Sequence, residues 1–304
     1  MSILTAAWWP RSRGLASRLW VSHRRHRFES SGNRLVLFTD PDTLRAGRRD
    51  WTATRHVVRE LEDRGIAVVL WGNETRSEME LIQSDLNLQH PFISENGGGL
   101  FIRHGYFLDR PTRGRDIQSY DVLDFGRPYH EVAEALHEVA HRHECPVIGF
   151  NVMSTQDVAR ECGLSLAQAR LAKLREYDEP FRVADSEPAT YSRICSALRR
   201  VGYRCFTHER FHHATGVADK SESIRTLTSL YCDAHDGHVV TVGVAMGPSE
   251  TCLLHSVDIP LVVQSADVDA ARLAQKVPTA RLIDSGSRGW SEAILEALDG
   301  RVGR

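Results

Sequence analysis

Asp40 and Asp42 stand two residues apart at the end of a short apolar run, Leu35-Val36-Leu37-Phe38-Thr39-Asp40-Pro41-Asp42-Thr43. An Asp-x-Asp pair can divide labour. One carboxylate attacks an electrophile or holds a metal, and the other moves a proton. In a solvated turn the same two side chains would only cap nearby backbone N–H groups, and spacing alone leaves both readings open. Lys220 follows the Ala214-Thr215-Gly216 turn and opens a predicted helix. A cation there opposes the helix dipole unless an anion sits close by. The alternative is a solvated surface lysine. Glu250 lies just past the apolar run Val239–Val244, whose end should fall beside Asp40. His208, His212 and His213 lack zinc spacing, and read either as contacts to an anion or as loop residues.

These residues need a sheet to hold them. Leu35–Thr39 has no polar alternation, which predicts a buried parallel strand, and Pro41 places the strand end just before it. A helix over 51–64 ends at Gly65, and Ile66–Trp71 is the next strand. A helix through Met79, Leu81 and Ile82 follows, then strands at Pro91–Ser94 and Leu100–Ile102 around the turn Glu95-Asn96-Gly97-Gly98-Gly99. This alternation predicts an α/β fold with a doubly wound, mostly parallel Rossmann-like sheet. From 104 to 206 the rhythm changes. Strands are expected at Asp121–Phe125, Val147–Val152, Phe181–Ala184 and Tyr203–Thr207. Helices are expected at 128–143, 155–162, 165–176 and 189–201. This predicts an inserted α+β cap domain, with 33–103 and 207–304 forming the core domain. The core resumes with a helix at Ala218–Leu230, a short helix at Glu250–Ser256, a strand at Pro260–Val263 and a helix near 290–298.

Composition narrows the partners. The 304-residue chain is 41% hydrophobic and 26% charged, with a formal net charge of −2. That balance argues against a protein-wide nucleic-acid or membrane footprint. No apolar run approaches the ~20 residues a membrane span needs. The six cysteines include no Cys-x-x-Cys and read as reduced thiols of a cytoplasmic protein. Residues 1–32 are rich in arginine and poor in acids, and read as a disordered leader, with a targeting segment as the alternative. Residues 154–176 pattern as helix, turn and helix. In a groove-reading role Gln168, Arg170 and Lys173 would face bases or phosphates, but the segment is a single copy in a slightly acidic chain.

With these pieces placed, the chain resembles the haloacid-dehalogenase-like phosphohydrolases, and more closely the mannosyl-3-phosphoglycerate phosphatase branch, over about 33 to 270. The motifs are FTDPDTL (38–44), GNETRSE (72–78), ISENGGGLF (93–101), GLSLAQARLAKLREYDEPF (163–181), RFHHATGVADK (210–220) and VDIPLVV (257–263). The resemblance implies that Asp40 is a nucleophile forming an aspartyl-phosphate, Asp42 the acid and later the base, and Lys220 the phosphate counter-charge. Asn73, Arg175, Glu176, Asp178, Arg210 and His213 would meet a small phosphorylated sugar or glycerate ligand. It implies Mg2+, held through Asp40, Asp42 and a carboxylate of the fourth motif. Departures are visible: the glycine expected after Asp42 is absent, and Gly72 stands where a serine or threonine is expected. Met246 stands where a ligand aspartate is expected, leaving Glu250 as the substitute. A thioether suits a hard cation poorly, so Mg2+ binding is expected to be impaired. A non-catalytic pseudophosphatase on the same scaffold is the alternative function.

Overall fold

A computed structural model describes residues 34–45, 51–111, 113–184, 188–208, 210–235, 237, 239–264, 273, 275–284 and 294. Its elements run β1 (Arg34–Thr39), α1 (Pro41–Arg45), α2 (Thr52–Asp63), β2 (Ala67–Trp71), α3 (Arg76–Leu86), β3 (Phe92–Ser94) and β4 (Gly99–Arg103). There follow β5 (Arg115–Ile117), β6 (Tyr120–Asp124), α4 (Tyr129–Arg142), β7 (Val147–Gly149), α5 (Thr155–Cys162), α6 (Leu166–Ala172) and β8 (Asp178–Val183). The remainder are α7 (Pro188–Arg200), β9 (Arg204–His208), β10 (Phe211–Thr215), α8 (Glu222–Asp233), β11 (Val239–Ala245), α9 (Thr251–Leu254), β12 (Ile259–Gln264) and β13 (Arg281–Asp284).

The strands form two sheets. The nine-stranded sheet has the order β13-β12-β11-β1-β2-β3-β4-β6-β5, and the four-stranded sheet β7-β8-β10-β9. From β13 to β3 every pairing is parallel; β4, β6 and β5 continue the sheet antiparallel. The small sheet is antiparallel throughout. β5 and β6, from within 104–206, lie in the large sheet, and β10, beyond 206, lies in the small one.

β1 shows why the large sheet is buried on both faces. Leu37 packs with Val68, Leu70, Val242 and Val244, whereas Val36 and Phe38 pack on the opposite face with Val69, Ile224 and Leu227. Alternate residues of one apolar strand thus feed two separate cores. β1 lies between β11 and β2, so the chain winds away from it in both directions. Loops after the strands flanking such a switch point converge at one sheet edge. Here they are Asp40–Asp42, Gly72–Glu74 and Met246–Glu250.

Several expectations shift. β8 begins at Asp178 rather than Phe181, because partners satisfy its two buried acids: Asp178 is met by nearby Arg175 and by His213 of β10, Glu179 by the Tyr129 hydroxyl and Asn151 N–H. β7 stops at Gly149, where Val152 N–H turns back to the Gly149 carbonyl and leads to the Ser154 helix cap. His212 and His213 lie in β10, paired on both sides, not in a loop. In the 154–176 segment two of the three proposed readers are engaged internally: Gln168 accepts from Ser165 N–H in a capping box, and Lys173 donates to the Met153 carbonyl, while Arg170 is exposed. No described helix is long and apolar enough to cross a membrane. The leader 1–32 lies outside the described residues, as does the helix expected near 290–298 apart from Ile294, which is helical and buried.

Candidate active site

Asp40 directly follows β1 and is buried, 8% exposed. Its Oδ1 accepts the backbone N–H of Asp42 at 2.7 Å, which fixes the carboxylate. The Asp42 side chain pairs with Arg45 at 2.7 Å. A third carboxylate joins them: ligand atoms of Asp40, Asp42 and Glu74 all lie within 4.8 Å of one another. Glu74 Oε2 is buried without a hydrogen-bond partner among the described residues. Burial first, then the charges of Glu74, Glu250 and Asp42, push the Asp40 carboxyl well above its ordinary value. Burial, Asp42 and Glu78 push Glu74 up to about 8.

Gly72 makes this convergence possible. A Cβ at 72 would overlap Glu74 Oε2 and come 2.9 Å from Asp40 Oδ2. The Gly72–Glu74 loop is pinned from behind: Asn96 N–H donates to the Gly72 carbonyl at 2.7 Å, and Glu95 N–H to the Glu74 carbonyl at 3.0 Å.

This corrects the expectation that Met246 impairs the cation site. The described carboxylate cluster is completed by Glu74, from the loop after β2, and does not draw on position 246. Met246 packs instead against the apolar core. Glu250, the expected substitute, is turned onto its own loop: it accepts Met246 and Gly247 N–H at 2.9 Å each and the Ser249 hydroxyl at 2.7 Å. Three converging carboxylates, one with an unpartnered buried oxygen, are a donor set of the kind a hard dication takes. The residues present fit the Mg2+ that the sequence resemblance implies.

Lys220 stands in the turn before α8, which begins at Glu222, and so does not open the helix as expected. Its Nζ donates to Asn96 Oδ1 at 3.2 Å, and Asn96 Nδ2 donates to Asn73 Oδ1 at 3.3 Å. The ammonium also lies 3.2 Å from the centroid of Phe206. Burial lowers Lys220 to about 8, against the opposing influence of Cys252 and Asp178.

A buried ion cluster ties the two sheets together. Arg175 pairs with Asp178, approaches Glu95 Oε2 at 3.4 Å and donates to the Asn73 carbonyl at 3.0 Å. His213 Nδ1 lies 3.2 Å from the other Asp178 oxygen, and its ring stacks on Phe206 with centroids 4.8 Å apart. Arg175 and His213 hold the Asp178 carboxyl well below the usual carboxylate range against the cost of burial. Glu176 pairs with Arg76 of α3 at 2.8 Å. Arg210 is exposed at the β9–β10 turn. The fold therefore joins Asp40 with Asp42, Lys220 with Asn73 through Asn96, and Arg175 with Asp178 and His213.

Sequence reasoning missed Glu74, Glu95 and Asn96. Glu74 follows β2 at the same sheet edge as Asp40, so the switch-point rule points to it. Glu95 and Asn96 adopt left-handed backbone at φ 48° and 57°, unusual for a glutamate, which marks a turn held in place by its surroundings. A glycine-rich sequence there masked both side chains.

No family model matches the chain. A glucosyl-3-phosphoglycerate/mannosyl-3-phosphoglycerate phosphatase of Methanococcoides burtonii is 30% identical over 267 residues, covering 86% of this chain and 97% of that one. A phosphatase of the same name from Persephonella marina is 26% identical over 276 residues, covering 87% and 97%. Among solved structures, a haloacid dehalogenase-like hydrolase from Bacteroides thetaiotaomicron superposes with a TM-score of 0.59 at 14% identity, over 87% of this chain and 99% of that chain. The sucrose-phosphatase from Synechocystis does so at 0.54 and 11% identity, over 89% and 98%. The sheet order, the Asp40-x-Asp42 pair at the switch point and the near-full-length sequence match converge: the chain belongs to the haloacid-dehalogenase-like hydrolase superfamily, in the family of the glucosyl-3-phosphoglycerate/mannosyl-3-phosphoglycerate phosphatases.

Proposed function

We propose that this protein hydrolyses the phosphate monoester of a glycosylated 3-phosphoglycerate in the cytoplasm, through an aspartyl-phosphate on Asp40. The observation that carries the reading is the Asp40, Asp42 and Glu74 cluster at the sheet's switch point. Asp40 attacks phosphorus; the ester oxygen leaves and takes a proton from Asp42. Asp42 then removes a proton from the water that attacks the acyl phosphate, returning Asp40 and releasing inorganic phosphate. Lys220 offsets phosphate charge. Asp40, Asp42 and Glu74 would hold Mg2+, which when bound supplies positive charge to the phosphoryl oxygens. We propose that Asn73, Glu176 and Arg210 meet the sugar or glycerate, with Arg175, Asp178 and His213 fixing the loop that carries Glu176, and that the small sheet with its helices covers the site as a lid.

A second reading keeps the fold and drops the turnover. It rests on Gly72, which offers no hydroxyl to the phosphate. Phosphate release from mannosyl-3-phosphoglycerate and glucosyl-3-phosphoglycerate with Mg2+, in the native protein and in Asp40→Asn, separates the two. The hydrolase reading expects release that falls about a thousandfold or more in Asp40→Asn. Tight binding of the native protein without release would favour the non-catalytic scaffold. Equal rates in both proteins would remove Asp40 as nucleophile.

A further inference from the structure

α7 and β9 carry two cysteines that the proposed hydrolysis does not use. Thr207 Oγ1 in β9 hydrogen-bonds the Tyr191 hydroxyl in α7 at 3.3 Å, which sets the register between helix and strand. Cys195 is four residues beyond Tyr191, one turn along the same helix face. Cys205 is two residues before Thr207, on the same face of the strand. The two steps advance by about 6 and 6.6 Å respectively. The register therefore brings the two thiols to the same place between helix and strand, near enough to perturb each other. Both are free and half-buried.

The pair is asymmetric. The neighbouring Cys205 thiol, with help from Tyr191 and Arg199, lowers Cys195 to about 7 despite burial. The Cys195 thiol and burial drive Cys205 far upward. A thiol titrating near ambient pH is the better attacking group, and its neighbour the resolving one. Between Cys205 and Thr207 stands Phe206. Its ring lies under the Lys220 ammonium and stacks on His213.

We propose that Cys195 and Cys205 form a reversible oxidation site, closing with a disulfide-class oxidant such as glutathione disulfide to a bond that ties α7 to β9 behind Phe206. The Cys195 thiolate attacks one sulfur of glutathione disulfide, forming a mixed disulfide and releasing one glutathione thiolate. The Cys205 thiolate, formed as its proton passes to solvent, attacks the Cys195 sulfur. The internal disulfide forms and the second glutathione thiolate leaves. Two protein thiols are oxidised and one glutathione disulfide is reduced to two glutathiones.

The test treats the full chain with glutathione disulfide and reads intact mass, free-thiol number and the cross-linked peptide. The expected product lacks two hydrogens, titrates four thiols instead of six, links the peptides of Cys195 and Cys205, and reverts with dithiothreitol. Cys205→Ser should stop at a stable glutathione adduct on Cys195, and Cys195→Ser should form no internal disulfide. Six retained thiols, a stable glutathione adduct on the native protein, or a cross-link between other cysteines would overturn the assignment. The peptide map of the native protein decides this even if a serine variant does not fold. Because Phe206 contacts Lys220, inorganic phosphate affinity should differ about fivefold or more between the oxidised and reduced forms. That limb rests on the phosphate-site reading. Equal affinities would remove the coupling and leave the disulfide, whereas no phosphate binding to the reduced protein would count against the phosphate-site reading instead.

Discussion

The carboxylate of Glu95, the residue just past β3 of the large sheet, accepts the backbone N–H of Asp178, the first residue of β8 in the small sheet, at 2.9 Å. The same carboxylate takes the N–H groups of Glu176 and Tyr177, each at 2.8 Å. One side chain thus satisfies three consecutive donors of the loop that carries Arg175 and Asp178. The adjoining glycine, Gly98, leaves room for the Tyr177 side chain, which a Cβ there would meet at 2.5 Å.

Glu95→Gln should therefore cost stability out of proportion to its size. The amide keeps one acceptor oxygen and turns an NH2 towards backbone donors and Arg175. Leaving buried donors unmet costs about 1–3 kcal/mol. Urea unfolding should show a lower midpoint with an unchanged slope; a midpoint equal to the native protein's would mean that the three hydrogen bonds carry no net weight.

Glu74→Gln should weaken Mg2+ binding about tenfold or more, measured by calorimetry without substrate. Gly72→Ala should do the same while removing no carboxylate, because the new methyl group displaces Glu74 from Asp40. Met246→Leu should leave the affinity within about threefold, as no ligand changes. Loss of binding in Met246→Leu but not in Glu74→Gln would return the cation site to the loop after β11.

Asp42→Asn should separate substrates by leaving group. A sugar or glycerate alkoxide needs a proton as it departs, so its turnover should fall about a hundredfold or more. The nitrophenolate of p-nitrophenyl phosphate leaves unaided, so its aspartyl-phosphate formation should change little in single-turnover measurements. An equal loss for both esters would assign Asp42 a structural or metal-holding role alone.

Lys220 should make phosphate binding proton-linked. An unfolded lysine titrates near 10.5, and burial lowers this one to about 8. Between those values the unfolded chain holds a proton that the folded chain lacks, so this group's contribution to stability rises with pH across the window. A bound phosphate dianion favours the charged ammonium, so binding at about pH 9 should take up a proton. Calorimetry in buffers of different ionisation enthalpy reads that uptake, and Lys220→Met should abolish it. Uptake that survives in Lys220→Met would place the linkage on another group.

Elements made by local pattern were legible from residues alone. The apolar run of β1, the Thr75 cap that opens α3 and the Ser154 and Ser165 capping boxes of α5 and α6 follow from near neighbours. β10 was not legible, since the histidines of Phe211-His212-His213-Ala214-Thr215 become strand residues only through pairing on both edges with β8 and β9. β5 and β13 are three and four residues long and carry no pattern of their own.

The sequence by itself determined that two acids end a buried strand, and that a lysine and a run of family motifs accompany them, because strand burial and motif spacing are encoded in adjacent residues. Only the tertiary structure decided which third carboxylate completes the cluster. Glu74 and Glu250 are both glutamates in loops at the same sheet edge; backbone amides capture one, while the space left by Gly72 admits the other to Asp40. That choice depends on where a missing Cβ lies relative to atoms tens of residues away, which no local pattern records.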